Sequence, residues 1–134
     1  MAEIIRKETD GSLSFGDYTL PEKKKQEDFK ADGGSYKVKT YNEITRLERD
    51  EVLVYESVPG TNVTALKRTD TGMSFEAEGE DDAQITVGVE PQTSYDVKVS
   101  GESIGVITSN LGGKLSFGVE LQGEGRVPVE VIKA

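Results

Sequence analysis

Lys114-Leu115-Ser116-Phe117-Gly118-Val119-Glu120-Leu121 alternates strictly between polar or small residues and large apolar ones. A strand turns successive side chains to opposite faces, so Leu115, Phe117, Val119 and Leu121 share one face and leave the other to water. A helix would throw the same four residues onto opposite sides of its cylinder. Working outward, Met73, Phe75 and Ala77 repeat the pattern, as do Ile85, Val87 and Val89, then Tyr95, Val97 and Val99, and finally Val127, Val129 and Val131. Turn-forming stretches separate these runs: Asp70-Thr71-Gly72, Glu80-Asp81-Asp82, Ser100-Gly101, Leu111-Gly112-Gly113 and Gly123-Glu124-Gly125. Strands with one apolar and one wet face, joined by short turns, predict an all-β antiparallel sandwich.

Composition agrees. Val, Ile and Thr number 32 against eight Leu, a strand-forming bias. At 134 residues the chain is long enough for one core. It has no Cys and no His, which removes thiolate sites, Cys nucleophiles, the commonest general base and the commonest zinc ligand. The net charge of −9 repels phosphate backbones and anionic lipid, so neither nucleic acid nor a membrane is an expected partner. Met1-Ala2-Glu3-Ile4-Ile5-Arg6 lacks a signal peptide's apolar run, and a cytoplasmic location is the expectation.

The first half is less regular. Leu13 and Phe15 read as one strand, and Tyr36, Val38 and Thr40 as another. Val52-Leu53-Val54-Tyr55 is apolar on both faces, as a buried central strand would be. Pro21 to Lys30 contains good helix formers but no packing face, and Lys23-Lys24-Lys25 reads as a solvated loop. Asn42 could cap a short helix bearing Ile44 and Leu47, with a strand as the alternative. Val58-Pro59-Gly60 is the best internal boundary. It divides a smaller β-rich part, residues 1–57, from residues 58–134, with one core shared by both as the alternative.

Val89-Glu90-Pro91-Gln92-Thr93-Ser94-Tyr95 fits the apolar-x-Pro-x-Thr-x-Tyr phrase, and the segment resembles that of fibronectin type III-like and immunoglobulin-like sandwiches. The resemblance implies a tyrosine corner, in which Tyr95 bonds back to the backbone, with Pro91 and Thr93 shaping the turn. Those three residues are then structural. The run from Ser100 to Leu121 also resembles small β-sandwich modules attached to carbohydrate-active enzymes. The chain as a whole resembles a family of small acidic bacterial proteins, some labelled endosialidase. That label implies glycan hydrolysis, but sialidase propellers need several blades of about 40–45 residues each, more than this chain holds.

Candidate chemistry is sparse. Glu80, Asp81 and Asp82 follow Glu76 and Glu78 at a hairpin end, where carboxylates could hold calcium, although a solvated acidic edge that deters strand-to-strand aggregation is the favoured reading. Gly101, Gly105, Gly112 and Gly113 read as turn glycines, and no phosphate-binding or nucleophile-elbow phrase exists. No cofactor is expected. Tyr41 falls on the strand face opposite Tyr36 and Val38, together with Lys37 and Lys39, so these three are the first candidates for ligand binding. The sequence therefore points to a non-enzymatic binding or assembly module, with a protein partner or self-association ahead of a glycan. The alternatives are a carbohydrate-binding module and a carboxylate-dependent glycan hydrolase.

Overall fold

The structure, a computed structural model, describes residues 3–134. Its strands are β1 (Ile5–Lys7), β2 (Leu13–Phe15), β3 (Lys24–Ala31), β4 (Gly34–Tyr41), β5 (Ile44–Arg49), β6 (Val52–Val58) and β7 (Asn62–Thr69). There follow β8 (Gly72–Glu78), β9 (Ala83–Gly88), β10 (Ser94–Val99), β11 (Glu102–Thr108), β12 (Lys114–Val119) and β13 (Val127–Lys133). Among the described residues no helix is long and apolar enough to cross a membrane. Every strand pairing is antiparallel. Sheet A runs β1-β2-β7-β8-β13-β10-β11 and sheet B runs β12-β9-β6-β5-β4-β3. The two sheets pack as a sandwich, as the alternation predicts.

Strands from both sides of residue 58 enter each sheet, and their inward residues form one apolar cluster. At its centre the ring of Tyr55, from sheet B, stands edge-on to Phe15 and Phe75 of sheet A. The centroid distances are 5.4 and 5.3 Å and the interplanar angles 75° and 85°. Such edge-to-face pairs add about 0.5–1.5 kcal/mol each to the burial itself. Burial also pushes the Tyr55 phenol up to about 12, since a phenolate there would lose its water.

One margin of this core is polar. Thr40, Thr45, Ser57 and Thr61 are fully buried. The Asp17 N–H donates to Thr40 Oγ1 at 2.9 Å, and Thr45 Oγ1 donates to the Thr61 carbonyl at 2.8 Å. Because Thr45 spends its single hydroxyl proton there, Thr40 must be the donor in the 2.8 Å contact between their hydroxyls. Thr61 Oγ1 meets Tyr55 Oη and Ser57 Oγ, both at 2.8 Å. Among the described residues no buried side-chain polar atom lacks a partner, which a dry interior requires.

Three expectations for the first half change. The stretch after Asn42 is strand β5, and Asn42 and Glu43 form the turn that sets Tyr41 opposite Ile44. Pairing on both sides, with β4 and β6, overrides the local helix signal. Lys24 and Lys25 begin edge strand β3 instead of lying in a loop. In β6, Leu53, Val54 and Tyr55 are buried but Val52 is 68% exposed. A bulge opposite the Leu47–Glu48 step leaves Val54 as the extra residue, so three successive side chains are buried, while Val52 at the strand's start stays outside the core.

Candidate functional site

In β4 the side chains of Tyr36, Val38 and Thr40 point into the core, so Lys37, Lys39 and Tyr41 lie on the outer face of sheet B. The register then extends one row across all six strands. Lys25 on β3 sits opposite Lys39, Lys39 opposite Arg46, Arg46 opposite Glu56, Glu56 opposite Thr86, and Thr86 opposite Ser116. Arg46 is the fulcrum. Its Nε meets Glu48 at 3.0 Å and its Nη1 meets Glu56 at 2.6 Å. Partial burial pulls the Arg46 pKa down, and the two carboxylates more than reverse that pull. Lys37 reaches Glu27 at 3.7 Å. Burial, followed by the Glu43 carboxylate, raises the Tyr41 phenol above its ordinary range.

Lys25, Lys37, Lys39, Arg46 and Glu48 together line a hollow of about 80 Å³. Lys37, Lys39 and Tyr41 are readable in the sequence from strand parity alone. Lys25 and Arg46 are not, because only the register between strands brings them opposite Lys39.

Glu80, Asp81 and Asp82 form the exposed connection between β8 and β9. Among the described residues no group of three or more His, Cys, Asp or Glu is placed to hold a metal ion. Asp82 is spoken for in another way. Its Oδ1 accepts the backbone N–H groups of Leu121 at 3.0 Å and Gln122 at 3.4 Å, and so fastens the segment that follows β12.

Tyr95 is buried at the start of β10, and its phenol oxygen accepts the Glu90 N–H at 3.2 Å. Pro91 is exposed, and its carbonyl accepts from Thr93 Oγ1 at 2.9 Å. The Thr93 N–H donates to Ser109 Oγ at 3.0 Å. Buried Ser109, which sequence reading passes over, thereby joins the β9–β10 connection to the end of β11. Nothing in its local sequence sets it apart from other serines. A cleft of about 740 Å³ opens beside this turn. Its carboxylates are Asp70 and Glu90, and Glu90 is already held by Lys133.

No family model, curated protein or solved structure matches this chain.

The remaining surface feature is an edge. β11 is the last strand of sheet A, and every residue in it except Ile107 is exposed, including Ile104 at 48% and Val106 at 62%. The Ser109 N–H donates to the Thr93 carbonyl at 2.9 Å, whereas the Ala134 N–H donates to the Ser94 carbonyl at 3.0 Å. Odd residues of β10 therefore bond to β11 and even ones to β13. Carried along the ladder, this alternation leaves the N–H and C=O of Val106 and Thr108 pointing away from the sheet. Gly105 lies within this strand, beside a bulge, instead of in a turn.

Proposed function

We propose that the protein is a non-enzymatic β-sandwich module that works by assembly, through edge strand β11. The observation that carries this reading is the unpaired backbone of Val106 and Thr108 flanked by exposed Ile104 and Val106. An open, apolar edge is a template for another strand. The other edges are blunted: β1 has three residues, β3 carries three lysines and a bulge at Asp28, and β12 turns Lys114, Ser116 and Gly118 outward. Two copies laid antiparallel about Val106 would set Val106 against Val106 and Ile104 against Thr108, with no like charges opposed. Grouping residues 58–134 with fibronectin type III-like modules belongs to the same reading, supported by the bond between Tyr95 and Glu90.

Light scattering on the eluting protein tests it. A dimer that Val106→Lys converts to a folded monomer supports edge assembly; a wild-type monomer across the accessible concentration range overturns it. The second reading, a carbohydrate-binding module, is favoured by the half-buried Tyr41 ring beside Lys39 on an outward face. Unchanged retention of Tyr41→Ala on immobilised glycans that hold the wild type would remove that reading.

A further inference from the structure

We propose that the outer face of sheet B holds an oxyanion site, built from Lys25, Lys39 and Arg46 with Lys37 beside them. It takes a sulfate or phosphate group carried on a small ligand. The charge distribution is the first support. Residues 23–49 contain eight Lys and Arg against five Asp and Glu, in a chain whose net charge is −9. The cations are thus concentrated on the three strands that carry the hollow.

The register sharpens this. Lys25, Lys39 and Arg46 stand directly opposite one another on β3, β4 and β5. Like charges in that relation destabilise a sheet, and an alternation of sign would have avoided the penalty. Compensation is also uneven. Arg46 engages both Glu48 and Glu56, and Lys37 has Glu27. Among the described residues Lys25 and Lys39 have no carboxylate within ion-pair distance, and the one acid lining the hollow, Glu48, is bound to Arg46 Nε.

The form of the site selects the ligand. Lysine ammonium groups only donate, so the hollow offers several donors and a single, already occupied acceptor. Its volume of about 80 Å³ suits one compact group and not a polymer. A tetrahedral oxyanion on an ester link presents three oxygens to three strands, where a carboxylate has two. An extended nucleic acid is disfavoured, since the acidic surface beyond β3–β5 would repel its flanking phosphates.

The test titrates the full chain with phenyl phosphate and, separately, with phenyl sulfate at constant ionic strength, following backbone amide shifts. The expected result is saturable shifts confined to the strands around Lys25, Lys39 and Arg46, with Lys39→Gln weakening binding by about tenfold or more. Lys98→Gln, on sheet A, should leave it unchanged. Lys25→Gln serves in its place if Lys39→Gln does not fold. Whichever ester binds more tightly identifies the source of the group. Shifts that grow linearly and match those from sodium chloride overturn the proposal, as does full affinity in both lysine variants. Tighter binding of a short oligonucleotide than of either ester would replace the small ligand by a nucleic acid.

Discussion

Thr45 and Thr61 hold each other twice: the Thr45 hydroxyl donates to the Thr61 carbonyl at 2.8 Å and accepts the Thr61 N–H at 3.0 Å. Thr61 lies between β6 and β7, where the chain leaves sheet B for sheet A. Backbone that passes between sheets has no ladder neighbour, and here a side chain takes the place of one. The arrangement fixes where β7 enters its sheet, and with it the position of the aromatic trio around Tyr55.

Thr45→Val should therefore cost more than its shape suggests. It keeps the volume but takes the Thr45 hydroxyl away from the buried Thr61 N–H and C=O and from the buried Thr40 hydroxyl, for a loss of about 2–4 kcal/mol. Thr45→Ser retains the hydroxyl and should lose only about 1 kcal/mol for the missing methyl. Urea unfolding of the two variants separates them, and equal midpoints would refute the double bond's importance.

The β5–β6 hairpin turns on Asp50 and Glu51, whose φ values are 49° and 69°. The turns at Asp32-Gly33 and Ser100-Gly101 place glycine second in the same left-handed pair. Glu51→Gly should relieve a strain of about 1 kcal/mol and raise the Tm by about 2–4 °C. Glu51→Ala retains the strain and should not raise it, so a thermal melt of both variants decides.

Tyr95→Phe removes the acceptor of the Glu90 N–H while keeping the ring in the core. A stability loss of about 1 kcal/mol is expected, read as a lower denaturant midpoint at unchanged slope. A silent substitution would mean that packing alone secures the turn.

Asp10 accepts the Ser12 hydroxyl at 2.6 Å and the Ser12 N–H at 3.0 Å, and Lys67 lies 3.0 Å from its other oxygen. The Ser12 bonds first, and Lys67 after them, hold its carboxyl well below the ordinary 3.8. A lowered folded-state pKa means that the stabilisation is present above 3.8 and is lost as pH falls from there through the folded value. Asp10→Asn should thus be less stable than wild type at pH 7, with the gap closing as the pH is lowered below 3.8. A gap that stays constant across urea melts over that range would contradict the assignment.

Much of the second half was legible because its strands obey one rule. Phe117, Val119 and Leu121 face inward for the reason their spacing gives, and the same parity placed Tyr41 outward with Lys37 and Lys39. Parity says nothing about which strand lies alongside. Lys25 and Arg46 are 21 residues apart in the chain and stand on either side of Lys39 only through the pairing of β3 and β5 with β4. The polar margin was hidden for a related reason: Thr40, Thr45, Ser57 and Thr61 look like ordinary strand and turn residues until the fold brings them together. Val52, read with Leu53, Val54 and Tyr55 as part of a run buried on both faces, is exposed at the strand's start, which an unbroken apolar run gives no sign of.

The last strand in the chain is not at an edge. β13 lies between β8 and β10 and, among the described residues, is the only link in sheet A between β1-β2-β7-β8 and β10-β11. On a ribosome that sheet would remain two separate fragments until residues 127–133 emerge, with β8 and β10 each exposing a flank that the finished protein conceals. A chain lacking residues 127–133 would present two additional adhesive borders to its neighbours.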